Sequence, residues 1–423
     1  MKKQFKNLKT SVVISSILLL GSYSSASFAQ ANLQVQCPGY KPAKTQLLSE
    51  KTGKKLNKAF EAYNQDLVKE AIDLLYEIEA KDPFDRASVD RFLGQLLVSD
   101  EDRRSEAKDY IERAVKVKVL NDNDHAPLLK LMGDLEYAEG NYAKAIEWFE
   151  RWMDFTCQED GVAYLKIARS FSEMKKQAEV IAPADKAIEL MEKPNQGAYS
   201  LKVQSYYERK MYAEAIDVLE TAVQVFPDSD VWYTRLGLFY QIVESYDKAL
   251  AMFELAYKMG HLKTASQYRS LAQLHAVNGA PYKSAKIVEK YLNDGVIPRT
   301  DTNLEGIANS YYQAREFKDA AKYFALAAVE GNDNDLYRRQ GAMLLSAGDY
   351  KGAIQALNKA LVNNEDNLGK VHYALIEAHF YSGDLRAAMK ATQEAKKFRA
   401  MRKNALAWEP HIRNKASNKG INI

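Results

Sequence analysis

The sequence predicts an all-α fold, a solenoid in which about ten helix–turn–helix hairpins form a superhelix with capping helices at its ends. Two observations carry this prediction: a repeated helical pattern and its constant period. The stretch NSYYQAREFKDAAKYFALAA, residues 309–328, places apolar side chains at helical spacing on both sides of a short turn. Stretches with the same pattern begin at Gly237 and Gly341. The repeated unit is therefore a pair of antiparallel helices.

A small residue marks the second helix of nearly every predicted hairpin. We call these residues the anchors: Ala71, Ala107, Ala145, Val180, Ala215, Ala249, Ser284, Ala320, Ala353 and Ala388. Successive anchors are 36, 38, 35, 35, 34, 35, 36, 33 and 35 residues apart. The residue four positions after each anchor is mostly large and apolar, and the one three positions further on is mostly alanine. A period this regular favours one repeat array over the separate domains that length alone suggests.

The N-terminus has the features of a secretory signal peptide. Four lysines among the first nine residues precede an apolar run from Val12 to Leu20, and small residues follow. The run is shorter than the roughly 20 apolar residues that cross a bilayer. We therefore expect cleavage after Ala29 and a periplasmic mature chain without a transmembrane segment.

The charge balance gives no support to nucleic-acid binding. The chain has 59 Lys and Arg against 56 Asp and Glu, a net charge of +3. The predicted leader contains four lysines and no acid, so the mature chain has a net charge of −1. Basic residues are concentrated at the C-terminus. From Lys396 onward there are eight Lys and Arg residues and one acidic residue, Glu409.

Several local features set the boundaries along the chain. The stretch CPGYKPAK predicts an extended arm, and a helix is expected from Thr45 to Asn64. Pro183 is expected to shorten or kink the second helix of the fourth hairpin. The segment KPNQG, residues 193–197, is expected to interrupt the helical pattern. The last hairpin helix is expected to continue through Arg402, followed by a closing helix around Trp408. The resulting segments are a signal peptide (1–29), an arm and the start of a capping helix (30–54), repeats one to four (55–193), repeats five to ten (194–400), and a C-terminal capping helix with a basic tail (401–423).

The period and the small–large–small pattern of the second helix resemble the tetratricopeptide repeat. This resemblance covers about residues 55–400 and is carried best by the sixth, eighth and ninth repeats. It implies protein–protein interaction as the function, with neither catalysis nor a cofactor. The CPGYKPAKTQLLSEKTGKKLNKAFEAY start and the closing helix at Trp408 are similar to exported tetratricopeptide proteins that accompany TonB–ExbB–ExbD energy-transduction systems.

That second resemblance implies a scaffold or adaptor in nutrient or iron uptake, with TonB, ExbB or ExbD-type components as partners. Two alternatives stay open. One is envelope assembly, meaning outer-membrane protein insertion or coordination of peptidoglycan synthesis. The other is glycan or membrane binding through the basic C-terminus. The oligomeric state is left open as well.

No catalytic or metal-binding motif is present in the sequence. The six histidines show no metal-ligand spacing with each other or with cysteine. His372 and His379 are seven residues apart, but both fall at packing positions of a repeat. We therefore expect no enzyme activity and no metal site.

The first helices of stacked hairpins build a concave surface that binds partners in proteins of this type. Arginine and tyrosine are frequent at interface hot spots. Arg235, Arg269 and Arg338 fall at nearly the same place in three first helices, with Tyr312 between them. The predicted partner-binding groove consists of Arg235, Arg269, Tyr312, Arg338, Tyr207, Gln241, Asn309 and Tyr373.

Cys37 and Cys157 are the only two cysteines. Export to an oxidising compartment favours a disulfide between them, which would close a loop of 120 residues. Two free thiols are the alternative.

Overall fold

The computed structural model describes residues 35–42, 46–362 and 367–423. The predicted all-α stack of hairpins is confirmed: these ranges contain 21 α-helices and two short 3₁₀ helices, and no strand. The predicted signal peptide, residues 1–29, lies outside the described residues.

The chain divides into two compact units, Met1–Leu201 and Lys202–Ile423. The division falls within α9 (Gln196–Glu208). The first unit contains α1 (Glu50–Asn64), α2 (Val68–Tyr76), α3 (Pro83–Leu97), α4 (Arg104–Lys116), α5 (Asp122–Ala138), α6 (Tyr142–Thr156), α7 (Gly161–Glu173) and α8 (Ile181–Leu190).

The second unit continues the same alternation of helices. It contains α10 (Tyr212–Val225), α11 (Asp230–Ile242), α12 (Tyr246–Lys258), α13 (Ala265–Val277), α14 (Pro281–Asn293), α15 (Asp301–Gln313), α16 (Phe317–Gly331), α17 (Asp335–Ser346), α18 (Tyr350–Ala360), α19 (Leu368–Ser382), α20 (Leu385–Lys396) and α21 (Arg399–Asn418). Helices α1 to α20 form ten hairpins, numbered 1 to 10, and each hairpin has an odd-numbered first helix and an even-numbered second helix.

The repeat pattern explains how the hairpins close. All ten anchors are buried, and so is every alanine that follows an anchor by seven positions. In hairpins 2, 3, 6 and 9 the large residue of the second helix packs against a glycine of the first. A Cβ atom on Gly237 would lie 2.6 Å from the Phe253 ring, and Gly94, Gly133 and Gly341 face Ile111, Phe149 and Leu357 in the same way. Glycine therefore lets the two helices approach closely around a large side chain.

An N-terminal arm is fastened to hairpin 3. A disulfide joins Cys37 to Cys157 at the end of α6, and the Gln36 amide donates to the Thr156 carbonyl at 2.8 Å. The Tyr40 hydroxyl donates to Asp122 at 2.6 Å, at the start of α5. The arm is thus tied to both helices of the third hairpin.

The first helix begins at Glu50, so the predicted start at Thr45 is wrong. Ser49 is the N-cap residue, and its hydroxyl accepts a hydrogen bond from the Thr52 amide. The Asp85 carboxylate of α3 accepts bonds from both the amide and the hydroxyl of Ser49, at 3.0 and 2.5 Å. Burial raises the pKa of Asp85, but these bonds and one from Thr52 lower it below its ordinary value overall.

Hairpin 4 departs from the regular pattern as predicted. Its second helix begins with a 3₁₀ turn, Gln177–Val180, and the α-helical part has only 10 residues. Pro183 lies in the first turn of α8, where a missing N–H breaks no bond within the helix. The α-helical part is therefore short, and the proline is accommodated in its first turn.

The C-terminal end differs from the expectation that the last hairpin helix continues through Arg402. Helix α20 ends at Lys396, and Phe398 takes an extended conformation before α21 starts at Arg399. Phe398 packs on α19, where it fills the space beside Gly369 and stacks on the His372 ring at 6.1 Å. This packing turns the chain so that α21 covers the end of the stack, with Ile412 fully buried.

A half-buried carboxylate links hairpins 7 and 8. Glu289 accepts hydrogen bonds from the hydroxyls of Tyr311 and Tyr323, at 2.7 and 2.6 Å, and forms an ion pair with Lys286 at 2.6 Å. Burial raises the pKa of Glu289, but the bonds from Lys286, Tyr323 and Tyr311 outweigh it and lower this pKa to about 2.

We expect Glu289 to make the second unit acid-sensitive. Because its folded pKa lies below its ordinary value of 4.5, its stabilisation is complete above that pH and is lost as the pH falls toward 2. Urea unfolding of wild type and Glu289→Gln should therefore differ most at neutral pH, and the two stabilities should converge progressively as the pH falls from 4.5 toward 2. Parallel stability curves over this range would contradict the assignment.

Candidate functional site

The eight residues of the predicted groove all lie on first helices of the second unit. They are distributed over six hairpins: Tyr207 on α9, Arg235 and Gln241 on α11, Arg269 on α13, Asn309 and Tyr312 on α15, Arg338 on α17, and Tyr373 on α19. Contacts between neighbouring first helices hold this surface together. Arg339 of α17 pairs with Glu305 of α15 at 2.5 Å, and Tyr207 packs on Phe239 of α11 with ring centroids 5.7 Å apart.

The three predicted arginines have different surroundings. Arg269 is exposed, and its guanidinium donates to the Asn303 side chain of the next first helix at 3.4 Å. Arg235 lies over the ring of buried Trp232 at 5.3 Å. Arg338 makes two short bonds to Asp335 on its own helix, at 2.7 and 2.8 Å, and this pairing holds the pKa of Arg338 above its ordinary value. Arg338 is therefore largely neutralised within its own hairpin.

The remaining predicted residues divide into exposed and packed side chains. Tyr312 is half exposed, and its ring is braced by Phe317 at 6.5 Å. Gln241 and Asn309 are half-buried. The Tyr373 hydroxyl accepts a bond from the Trp408 indole of α21 at 3.4 Å. Tyr373 therefore takes part in packing the closing helix.

Sequence reasoning missed a second line of residues on the same helices. Each first helix of hairpins 5 to 10 has an apolar or aromatic residue seven or eight positions before the anchor. We call these residues the apolar row: Tyr207, Ile242, Val277, Tyr312, Leu345 and Tyr381. Leu345 is half-buried, and the other five are 44–55% exposed. The sequence shows their spacing from the anchors, and the structure adds their exposure.

Two of the three arginines, Arg235 and Arg338, share a helix face with their apolar-row residue. Arg235 and Ile242 are seven residues apart, as are Arg338 and Leu345, and Arg269 and Val277 are eight apart. Seven residues are close to two helical turns, which places both side chains on one face about 10 Å apart along the axis. The face therefore has an apolar line beside a polar one, with Leu238 exposed between them on α11.

This face offers binding chemistry. Among the described residues no group of three or more His, Cys, Asp or Glu side chains is arranged to hold a metal ion. Within the described part of the chain, no helix has both the length and the apolar character that a membrane span requires. What the face presents is exposed apolar surface flanked by guanidinium groups.

Two segments of the sequence match a known repeat family. Residues 93–156 and 306–367 match the family model of the tetratricopeptide repeat. These segments cover hairpins 3 and 9 in full and parts of hairpins 2 and 8. No curated protein matches the sequence.

Solved tetratricopeptide structures are also similar to the chain. The C-terminal part of a TPR repeat-containing protein from Cytophaga hutchinsonii is 15% identical over 65% of this chain and 97% of its own, with a TM-score of 0.36. A tetratricopeptide repeat protein from Parabacteroides merdae is 17% identical over 60% of this chain and 98% of its own, also with a TM-score of 0.36.

Proposed function

We propose that this tetratricopeptide-repeat protein is a scaffold that holds a segment of a partner protein on the first-helix face of its second unit. The apolar row is the observation that carries the proposal. Exposed apolar side chains in one continuous line are uncommon on surfaces without a binding role. Here an apolar or aromatic side chain recurs once in every hairpin from 5 to 10, and five of the six are exposed. A partner that covers this line would gain apolar contacts along the whole length of the unit.

Charge on the same face sets the chemistry of the partner. Arg269 is exposed, and its contact with Asn303 leaves its charge unneutralised, whereas Arg338 is paired with Asp335. The preferred partner segment therefore carries apolar residues with acidic residues on one flank. Single exposed charges contribute little in water, so the apolar row supplies most of the affinity and the arginines supply orientation.

The cellular setting rests on the sequence. The predicted signal peptide places the mature chain in the periplasm, and the N-terminal and C-terminal resemblances suggest a TonB–ExbB–ExbD energy-transduction system as the machine served. Envelope assembly is the alternative setting for the same binding face. In either setting the protein acts by holding a partner, and its own residues carry out no reaction.

Affinity capture from the cell envelope tests this proposal. We expect the row variant Ile242→Ser, Val277→Ser, Tyr312→Ser to capture at least ten-fold less of the main co-purifying protein. Each hot-spot side chain contributes more than about 1 kcal/mol to binding. The control variant Leu255→Ser, Val329→Ser, Val362→Ser removes three exposed apolar side chains outside the first helices and should retain that protein. A TonB, ExbB or ExbD-type component in the lost band supports the uptake setting.

Equal capture by wild type and the row variant, with helicity unchanged, would rule out the first-helix face as the binding surface. Loss of an outer-membrane insertion factor or a peptidoglycan synthesis enzyme from the row variant would instead support the envelope-assembly setting.

A further inference from the structure

The C-terminal end of the chain has a strong charge asymmetry. Residues 386–423 contain ten Lys and Arg against two acids, a net charge of +8. The whole chain has a net charge of +3, so the other 385 residues together have a net charge of −5. Most of the positive end belongs to α21 and to the residues beside it.

Packing uses the apolar side of α21. Ala405, Ile412 and Ala416 are buried against the end of the stack. Trp408 is held between Phe380 and Tyr381 of α19, with ring centroids 5.2 and 6.4 Å away. The side of α21 that faces solvent is consequently its basic side.

The acids near this helix are already paired. Glu409 forms an ion pair with Lys396 at 2.6 Å, and Glu394 forms one with Lys397 at 2.5 Å. We call the exposed cations of α21 and the residue after it the basic face: Arg399, Arg402, Lys403, Arg413 and Lys419. Among the described residues, none of these five forms an ion pair. Their charge is therefore available to an external anion.

We propose that the basic face binds an anionic lipid surface. Arg402 and Arg413 are eleven residues apart, which is close to three helical turns, so their side chains project in one direction about 16 Å apart. Leu406, 43% exposed, lies between them and is the one exposed large apolar side chain of α21. A row of cations along the exposed side of a helix fits an anionic surface.

Two other modes of binding fit the basic face less well. Helices that insert into the membrane interface need a broad free apolar side, and α21 has buried its own. A tightly bound acidic peptide needs apolar anchors in pockets, and this face offers Leu406 alone. Binding is therefore electrostatic and peripheral, and it weakens as salt rises. This lipid binding does not use the first-helix face.

Vesicle co-sedimentation tests the proposal. The mature chain should bind phosphatidylglycerol-containing vesicles at low salt, release them at high salt, and ignore pure phosphatidylcholine vesicles. The face variant Arg402→Glu, Lys403→Glu, Arg413→Glu should bind about 100-fold more weakly, since each cation near an anionic surface contributes about five-fold. The control Lys116→Glu, Lys318→Glu, Lys351→Glu makes the same change in net charge at exposed positions elsewhere and should bind as wild type does.

Three results would overturn the proposal. The first is wild-type binding that is absent or independent of lipid charge and salt. The second is an equal loss in the control variant, which would show that net charge alone governs binding. The third is wild-type protein that binds soluble polyglutamate but does not bind the vesicles, which would make the ligand an acidic polypeptide. The row variant should bind vesicles as wild type does. Failure of the proposed scaffold function can therefore be told apart from failure of the lipid-binding proposal.

Discussion

Replacing Phe253 by alanine is expected to lower the free energy of unfolding of the second unit by about 3–5 kcal/mol. The Phe253 ring is 1% exposed and lies four residues after the anchor Ala249, in the seam of hairpin 6. Removing the ring leaves a cavity between α11 and α12 that their rigid backbones cannot close. Urea unfolding followed by circular dichroism measures the loss, and amide hydrogen exchange should place it in hairpin 6.

The pairing of Phe253 with Gly237 gives this prediction a sharper form. In wild type, Gly237→Ala places a methyl group 2.6 Å from the ring and should destabilise the unit by about 1–3 kcal/mol. In the Phe253→Ala background the clash is gone, and the better helix propensity of alanine should make the same change neutral or stabilising by up to about 1 kcal/mol.

Gly306→Ala is the matched control for that pair. Gly306 also lies inside a first helix, but an added Cβ there meets nothing within 4 Å. This change should therefore stabilise the unit in either background. A Gly237→Ala effect that is the same with and without the Phe253 ring would show that the two residues do not pack as described.

Removing the disulfide should lower the free energy of unfolding of the first unit by about 2–4 kcal/mol, because a long loop of the unfolded chain is no longer closed. The variant Cys37→Ser, Cys157→Ser loses this constraint and loosens the arm that carries the Gln36 and Tyr40 bonds. Hydrogen exchange should rise at the start of α5 and the end of α6, and it should be unchanged in the second unit.

Reduction of the wild-type protein provides the control for the serine substitutions. Reduced wild type and the double variant should unfold at the same urea concentration, below that of oxidised wild type. If oxidised and reduced wild type unfold together, or if both thiols of unreduced protein react with an alkylating reagent, the arm is not fastened by this bond.

The sequence was sufficient for the fold because one packing rule repeats along the chain. Each anchor must be small where two helices meet, so a period of about 35 residues is visible without any structure. The ends were harder, because their helix limits depend on contacts far away in the sequence. Ser49 starts α1 while bonded to Asp85, and Phe398 interrupts the helix because it packs on α19.

The candidate site was harder to predict than the fold. The arginines and Tyr312 were predicted from their positions on the first helices, because polar side chains at such positions are expected to face solvent. Ile242 and Val277 did not stand out, since an apolar residue in a helical repeat is usually part of the core. Only their exposure in the folded unit distinguishes them from core residues. Likewise, the Asp335 carboxylate that neutralises Arg338 becomes significant once both occupy one helical turn.

Site-specific photo-crosslinking in the cell envelope tests the central claim most directly, that the first-helix face of the second unit holds a partner protein. A photoreactive phenylalanine would replace Val277 or Tyr312 in the apolar row, and Val329 on α16 as the control. All three side chains are at least half exposed. The proposed binding face predicts one and the same crosslinked protein from positions 277 and 312, and none from 329. Equal crosslinking from all three positions, or crosslinking from 329 alone, would contradict it.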